Sequence, residues 1–170
     1  MNFQLNTKMK VISKQILNRI SRSTSHTQRV NLIRSEFIGT RKRKGSARLC
    51  IPLDEKWVLK IARNEKGLAQ NLFEAECYKY SSTYEKRYLA KVKDWCGDGT
   101  WLIQQRVKPF SYEKGQRLRD QLLQQPAFAD MVDKLEIHHC DIDQIGIIGK
   151  QYKIFDYGLS ISIARTYYHF

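Results

Sequence analysis

An aspartate at the end of a strand-like run is the residue that most suggests chemistry in this chain. Tyr152 to Phe155 have strand character, Asp156 follows them, and Gly158 comes two places later. A strand that ends on a carboxylate and then turns at a glycine can aim that carboxylate into a cleft. Phosphate chemistry uses such a group to hold the magnesium ion that bridges two phosphates. The triplet alone also fits an ordinary polar turn, so its interpretation depends on what precedes it.

A lysine inside an apolar strand is the second chemical signal. In the strand-like run from Lys56 to Ala62, Lys60 lies between Val58 and Ala62 on one face, and larger apolar residues occupy the other. Lysine is seldom buried without a partner. We therefore expect Lys60 to meet a carboxylate from a neighbouring element.

The helix-like run that follows, roughly residues 64–81, offers that carboxylate. At about 100° per residue, Glu76 falls near the middle of the apolar face of this helix, whereas Glu74 points away from it. We expect Glu76 to pair with Lys60, and Glu74 is the alternative partner. In the remaining interpretation both glutamates are solvated.

Upstream of the lysine, a basic loop lies between two strand-like runs. The first run ends over residues 37–39 and the second covers 47–52. Four consecutive cations, 41–44, stand between them and are followed by Gly45 and Ser46. Glycine and a small hydroxyl residue allow the backbone to approach a phosphate closely, and the cations would attract it. A plain solvated hairpin is the alternative.

The rest of the chain predicts a hairpin, two helices and a second pair of strands. The hairpin joins 89–95 to 100–107 through a turn with two glycines. Residues 111–137 are helical in composition, with a break near Pro126. A polar loop then leads to a short apolar strand at 145–148, and the strand that ends on the aspartate follows.

The net charge of +13 is concentrated near the N-terminus. Residues 1–48 hold 12 Lys and Arg against one acid, a balance of +11, whereas the remaining 122 residues carry +2. Short helices are predicted at 8–22 and about 27–35, and we expect the apolar stripe of the first to pack on the main body. Such a segment suggests an acidic partner: nucleic acid, an anionic membrane surface or an acidic protein face. A solubilising arm is the alternative.

Length and composition bound the class of protein. The chain has 170 residues, about one domain, and 42% hydrophobic residues, enough for a core. No apolar run approaches the roughly 20 residues of a membrane span. The four cysteines include no Cys-x-x-Cys pair, so we expect reduced thiols in a cytoplasmic protein rather than disulfides or a zinc site.

The order of these signals resembles the protein kinase-like fold, in the compact form of small bacterial and bacteriophage kinases and pseudokinases. The resemblance covers about residues 36–160. The run that contains Lys60 looks like the lysine strand of that family, and Asp156-Tyr-Gly158 looks like its magnesium-binding triplet. This likeness implies that Lys60 holds the α and β phosphates of ATP, that Glu76 fixes Lys60, and that Asp156 carries Mg²⁺.

The same resemblance implies roles at the two ends of an ATP site. The turn with Gly45 and Ser46 would cover the phosphates. The segment from Gln105 to Val107 falls where the hinge of that family binds adenine through backbone groups.

The catalytic loop fits the family pattern less well. His139-Cys-Asp141 is similar to the His-Arg-Asp of the family, which makes Asp141 the candidate base for a substrate hydroxyl. Five residues after Asp141, where the family has a metal-binding asparagine, stands Gly146. A shortened loop would place Gln144 there as a metal ligand. Without a gap, His139 would take the place of the base.

We therefore expect an α+β, minimal two-lobed kinase-like fold. Its parts would be a basic helical extension (1–35), a kinase-like N-lobe (36–107) and a truncated C-lobe (108–170). Because twelve residues follow Gly158, the activation segment that holds a peptide substrate is expected to be missing.

The expected function is binding of ATP and Mg²⁺ with phosphate transfer to a protein, or a degenerate pseudokinase that acts through protein binding. By family analogy, such a protein suits a bacterial or phage effector in the cytoplasm, or the host cytoplasm if viral. The alternative is a non-enzymatic basic effector that binds nucleic acid or an acidic protein partner through residues 1–48.

Overall fold

The computed structural model describes residues 14–23, 25–37, 43–137 and 144–168. Within these ranges the protein is α+β, with six α-helices and two antiparallel sheets. This architecture confirms the predicted α+β class.

The helices and strands alternate irregularly along the chain. The helices are α1 (Lys14–Arg22), α2 (His26–Glu36), α3 (Glu65–Tyr80), α4 (Tyr112–Leu123), α5 (Pro126–Lys134) and α6 (Ile161–Tyr168), with a 3-10 turn at Glu85–Arg87. The strands are β1 (Arg43–Lys44), β2 (Arg48–Pro52), β3 (Trp57–Ala62), β4 (Val92–Trp95), β5 (Trp101–Gln105), β6 (Lys108–Pro109), β7 (Ile145–Ile148) and β8 (Gln151–Ile154). The predicted hairpin is thus β4–β5, and the predicted helical break near Pro126 separates α4 from α5.

Local capping explains where several helices begin. The side chains of Ser25, Asn64 and Ser111 each accept a hydrogen bond from a backbone N–H in the first turn of α2, α3 and α4. These residues satisfy donors that have no partner inside the helix. Pro126 begins α5, where a missing N–H costs nothing.

The larger sheet places Lys60 in its centre. Its strand order is β1-β2-β3-β5-β4, and all neighbours are antiparallel. Lys60 lies opposite Cys50 on β2 and Leu102 on β5, so the three side chains share one face. The smaller sheet, β6-β7-β8, leads directly into Asp156.

The opposite face of the larger sheet is covered by α1 and α2. Leu59 and Ile61 of β3 are fully buried there, in one core with residues of both helices. The helical contributors are Leu17, Ile20, Ile33 and Phe37. The indole N–H of Trp101 on β5 donates to Ser21 Oγ at 2.8 Å and ties α1 to the sheet. The basic N-terminal helices therefore supply core side chains.

A second core joins α3 to the smaller sheet and to α4 and α5. It includes Leu102 from the larger sheet, Phe128 and Met131 from α5, and Ile145 and Ile154 from β7 and β8. The two cores lie on opposite faces of the larger sheet.

The region before β2 differs from the predicted strand and loop. Phe37 ends α2 as its C-cap and does not end a strand. Strand β1 lies inside the predicted loop, so the turn before β2 spans only 45–47. Helix α1 begins at Lys14, and the earlier part of the predicted helix lies outside the described residues.

Two further predictions, on the cysteines and on membrane spans, concern residues that the structure describes. Cys50, Cys77 and Cys96 are free thiols, and Cys140 lies outside the described residues. Burial raises the pKa of Cys77 to about 12. None of the described helices combines the length and the apolar composition that crossing a membrane requires.

Replacing Ile20 by alanine tests whether α1 belongs to the core. Ile20 is fully buried against the sheet. The variant should therefore lose about 2–5 kcal/mol of unfolding free energy in a denaturant titration. Lys14→Ala on the same helix is the control, and it should change stability by less than about 0.5 kcal/mol because Lys14 is exposed. Equal effects of the two changes would contradict the docking of α1.

Candidate functional site

A cavity of about 1040 Å³ opens between the two sheets. Its walls come from the turn before β2, the inner face of β2, β3 and β5, the segment after β5, and the chain around Asp156. The predicted site residues that line it are Gly45, Ser46, Lys60, Gln105, Val107, Gln144 and Asp156. Its volume is at the upper end of the range of small-molecule sites, about 300–1,000 Å³.

Lys60 forms a buried ion pair at the inner end of this cavity. Its side chain is about 5% exposed, and Nζ lies 2.7 and 2.9 Å from the two carboxylate oxygens of Glu74. The ammonium group also donates to the carbonyl oxygen of Phe155 at 2.8 Å and lies 3.8 Å from Asp156 Oδ1. The prediction that Lys60 is buried against a carboxylate is confirmed.

The predicted identity of that carboxylate, Glu76, is wrong. Glu74 is fully buried and makes the ion pair, whereas Glu76 is exposed. The buried face of α3 is polar or small over much of its length: Gly67, Gln70, Asn71, Glu74, Ala75 and Cys77. The apolar side of the helix is therefore not the side that is buried. The polar face around Glu74 is buried because Arg48, Lys60 and the backbone of Tyr157 cover it and supply its hydrogen bonds.

Arg48 is the main residue that the sequence analysis missed. It is 6% exposed, and its Nη1 lies 3.1 Å from Glu74 Oε2 and 3.4 Å from Asn71 Oδ1. Its Nη2 donates to Asp156 Oδ1. Arg48 and Cys50 are two residues apart on β2 and so share one face, and the structure places Cys50 opposite Lys60.

Asp156 is the most accessible member of this charged cluster. Its side chain is 42% exposed and faces the cavity. Burial alone would raise the pKa of Asp156, but the charges of Arg48 and then Lys60 outweigh burial and hold the pKa below its usual range. Its ion pairs are therefore present at neutral pH and are lost only as the pH falls through that lowered value.

The two residues after Asp156 hold the segment in place. Tyr157 N–H donates to Glu74 Oε1 at 3.1 Å, and its fully buried hydroxyl donates to the Ala90 carbonyl oxygen at 2.7 Å. Gly158 does not adopt a positive φ. A methyl group there would lie 2.8 Å from Arg48 Nη1 and from the Gln70 carbonyl oxygen. Position 158 therefore requires glycine because the Arg48 side chain and the α3 backbone lie close to it, and not because its backbone conformation is left-handed.

The other end of the cavity is formed by Gln104 to Val107. The Gln105 N–H donates to the Lys91 carbonyl oxygen at 2.7 Å, so this one backbone group of the predicted segment already has a partner in the protein. Val107 is buried and lines the cavity.

The fully buried Gln104 also lines the cavity, and neither polar atom of its side-chain amide has a well-formed hydrogen bond to a described residue. Burial, and after it the negative charge of Glu74, raises the pKa of Tyr157 well above its usual range, and the Gln104 side chain acts in the opposite direction.

The predicted catalytic loop is only partly placed. Asp141 and His139 lie outside the described residues. Gln144 lines the cavity, and its carbonyl oxygen accepts from the Phe155 N–H at 3.0 Å. In the described part of the chain, no three His, Cys, Asp or Glu side chains are grouped so that they could hold a metal ion. What the described residues offer a ligand is a buried cluster of Arg48, Lys60 and Glu74 beside the half-exposed carboxylate of Asp156.

Comparison of this chain with protein-family models, with characterised proteins and with solved structures gave no match.

A matched pair of substitutions on α3 tests the ion pair. Glu74→Gln leaves two buried cations without their shared carboxylate and should cost about 3–5 kcal/mol of unfolding free energy. Glu76→Gln removes an exposed charge and should stay within about 0.5 kcal/mol of the parent. Chemical denaturation at neutral pH measures both. A greater loss for Glu76→Gln than for Glu74→Gln would mean that α3 packs in the register first predicted.

Proposed function

We propose that this chain is a compact kinase-like protein that binds ATP in the cavity and acts through a protein partner, as a pseudokinase. One observation carries the proposal: the buried Lys60–Glu74 pair adjoins the half-exposed Asp156 at one end of a ligand-sized cavity. A buried lysine paired with a helix glutamate, beside an aspartate that follows a strand, is the arrangement by which kinases hold nucleotide phosphates.

ATP would lie along the cavity, with its phosphates and its base in contact with different parts of the protein. The phosphates would lie near Lys60, under the turn that contains Gly45 and Ser46. The base would lie against the segment from Gln104 to Val107, where the fully buried side chain of Gln104 lines the cavity. In this proposal the larger sheet with α3 is the N-lobe, and the smaller sheet with α4 and α5 is the reduced C-lobe.

The magnesium ion of the family pattern fits the described residues poorly. Asp156 and Gln144 would hold it, but Asp156 Oδ1 already accepts a hydrogen bond from Arg48. The described residues supply no further cluster of metal ligands. The proposed ligand is therefore the nucleotide itself, and this poor fit is the reason for favouring a pseudokinase over an active kinase.

A second candidate function is supported by the outer surface of α1 and α2. Both helices turn apolar residues to the sheet, which leaves Lys14, Arg22 and Arg34 exposed. Arg19, 61% exposed, is paired with Glu36 at 2.6 Å. In a chain of net charge +13, this surface suits an acidic protein or nucleic acid, and the protein would then be a non-enzymatic effector.

ATP should raise the melting temperature of the parent protein, because a ligand that binds only the folded state stabilises it. Lys60→Met should abolish the rise, and Lys56→Met should retain it because Lys56 is exposed and lies just before the strand that carries Lys60. Thermal melts of the three proteins measure this, with circular dichroism to show that each variant is folded.

Inorganic tripolyphosphate at matched ionic strength is the necessary control, because any polyanion can stabilise a strongly basic protein. The proposal requires that ATP raise the melting temperature more than tripolyphosphate does. If the two compounds raise it equally, and if the increase remains in Lys60→Met, the basic effector is favoured.

Phosphate transfer is tested with Asp141→Asn. If the chain is a pseudokinase, the parent should incorporate no phosphate from γ-labelled ATP into itself or a captured partner, with or without Mg²⁺. Incorporation that Asp141→Asn abolishes, while ATP binding stays unchanged, would instead establish an active kinase with Asp141 as its base.

A further inference from the structure

We infer that Arg48 is a built-in counter-ion for Asp156, so that nucleotide binding in this cavity does not require Mg²⁺. The inference rests on the proposed nucleotide binding and goes beyond it, because it replaces the metal ion of the site by a side chain of the protein.

Arg48 is held in place by its surroundings. Its guanidinium contacts the buried Glu74 and Asn71, and the Asn71 amide in turn donates to the Gly99 carbonyl oxygen at 2.8 Å. The absence of a side chain at Gly158 leaves room for it, since a methyl group there would lie 2.8 Å from Nη1 and 3.1 Å from Nη2. A cation that is 6% exposed and packed on several sides is a fixed part of the site.

The charges near Asp156 are already balanced. Arg48 and Lys60 supply two positive charges, and Glu74 and Asp156 supply two negative ones. A divalent cation at Asp156 would lie beside a guanidinium and an ammonium group, and both would repel it. The ion would also have to share the Asp156 carboxylate with Arg48 and Lys60, which both face Oδ1.

A phosphate group is better suited to this cluster than a metal ion. Guanidinium groups bind phosphate oxygens through paired, charge-assisted hydrogen bonds. Arg48 and Lys60 both line the cavity, on the same face of the larger sheet. Asp156, the one exposed member of the cluster, can turn toward solvent when phosphate oxygens take its place.

The experiment is a calorimetric titration of the full chain with ATP, once with excess EDTA and once with MgCl₂, at the same ionic strength. The dissociation constants should agree within about threefold. Binding that occurs only with MgCl₂ overturns the inference and leaves the proposed ATP binding intact. No binding under either condition overturns both.

Asp156→Asn is the first variant, and its half-exposed side chain makes loss of the fold a small risk. It should bind ATP at least as tightly as the parent under both conditions, because it removes a negative charge beside the phosphates. A loss of affinity of tenfold or more that is confined to the MgCl₂ condition overturns the inference, because it would identify Asp156 as a metal ligand.

Arg48→Met and Arg48→Lys form the second pair. With EDTA, Arg48→Met should bind ATP at least about tenfold more weakly than the parent, and Arg48→Lys should recover part of the loss. With MgCl₂, Arg48→Met should regain affinity, because Asp156 is then free to bind the ion. Unchanged ATP affinity of a folded Arg48→Met in EDTA would overturn the role assigned to Arg48.

Discussion

The buried carboxylate of Glu74 is the group on which the arrangement of the site depends. It accepts hydrogen bonds from Lys60 on β3, from Arg48 on β2 and from the backbone N–H of Tyr157. Three separate parts of the chain therefore meet at one side chain of α3. Because an uncompensated buried charge is costly, these contacts hold α3, the larger sheet and the segment after β8 in one fixed relation.

The position of Asp156 follows from that relation. The backbone after β8 is held by Tyr157, whose N–H bonds to Glu74 and whose hydroxyl bonds to Ala90. Asp156 then faces the cavity from a rigid support, while its own side chain stays accessible. A site of this kind, with a fixed backbone and one exposed charged group, is suited to exchanging one ionic partner for another.

The basic helices have a structural role that their charge does not reveal. Leu17, Ile20, Ile33 and Phe37 close the face of the sheet opposite Lys60. Their packing supports β3 from behind, and so it supports the lysine that faces the cavity. Lys14, Arg19, Arg22 and Arg34 of the same helices are exposed, so one segment serves both the core and the surface.

Local patterns in the sequence determined most of the elements and several site residues. Alternation along β3 separates Lys60 from Leu59 and Ile61, two glycines mark the β4–β5 turn, and a strand leads into Asp156. Only the tertiary structure decided which groups meet Lys60. Glu74 lies on a polar helix face that becomes interior because Arg48, 26 residues earlier, and the backbone of Tyr157, 83 residues later, supply its hydrogen bonds. The net charge of this cluster was also decided only by the tertiary structure. It depends on which charged residues meet, and their separation in the sequence does not tell which of them are in contact.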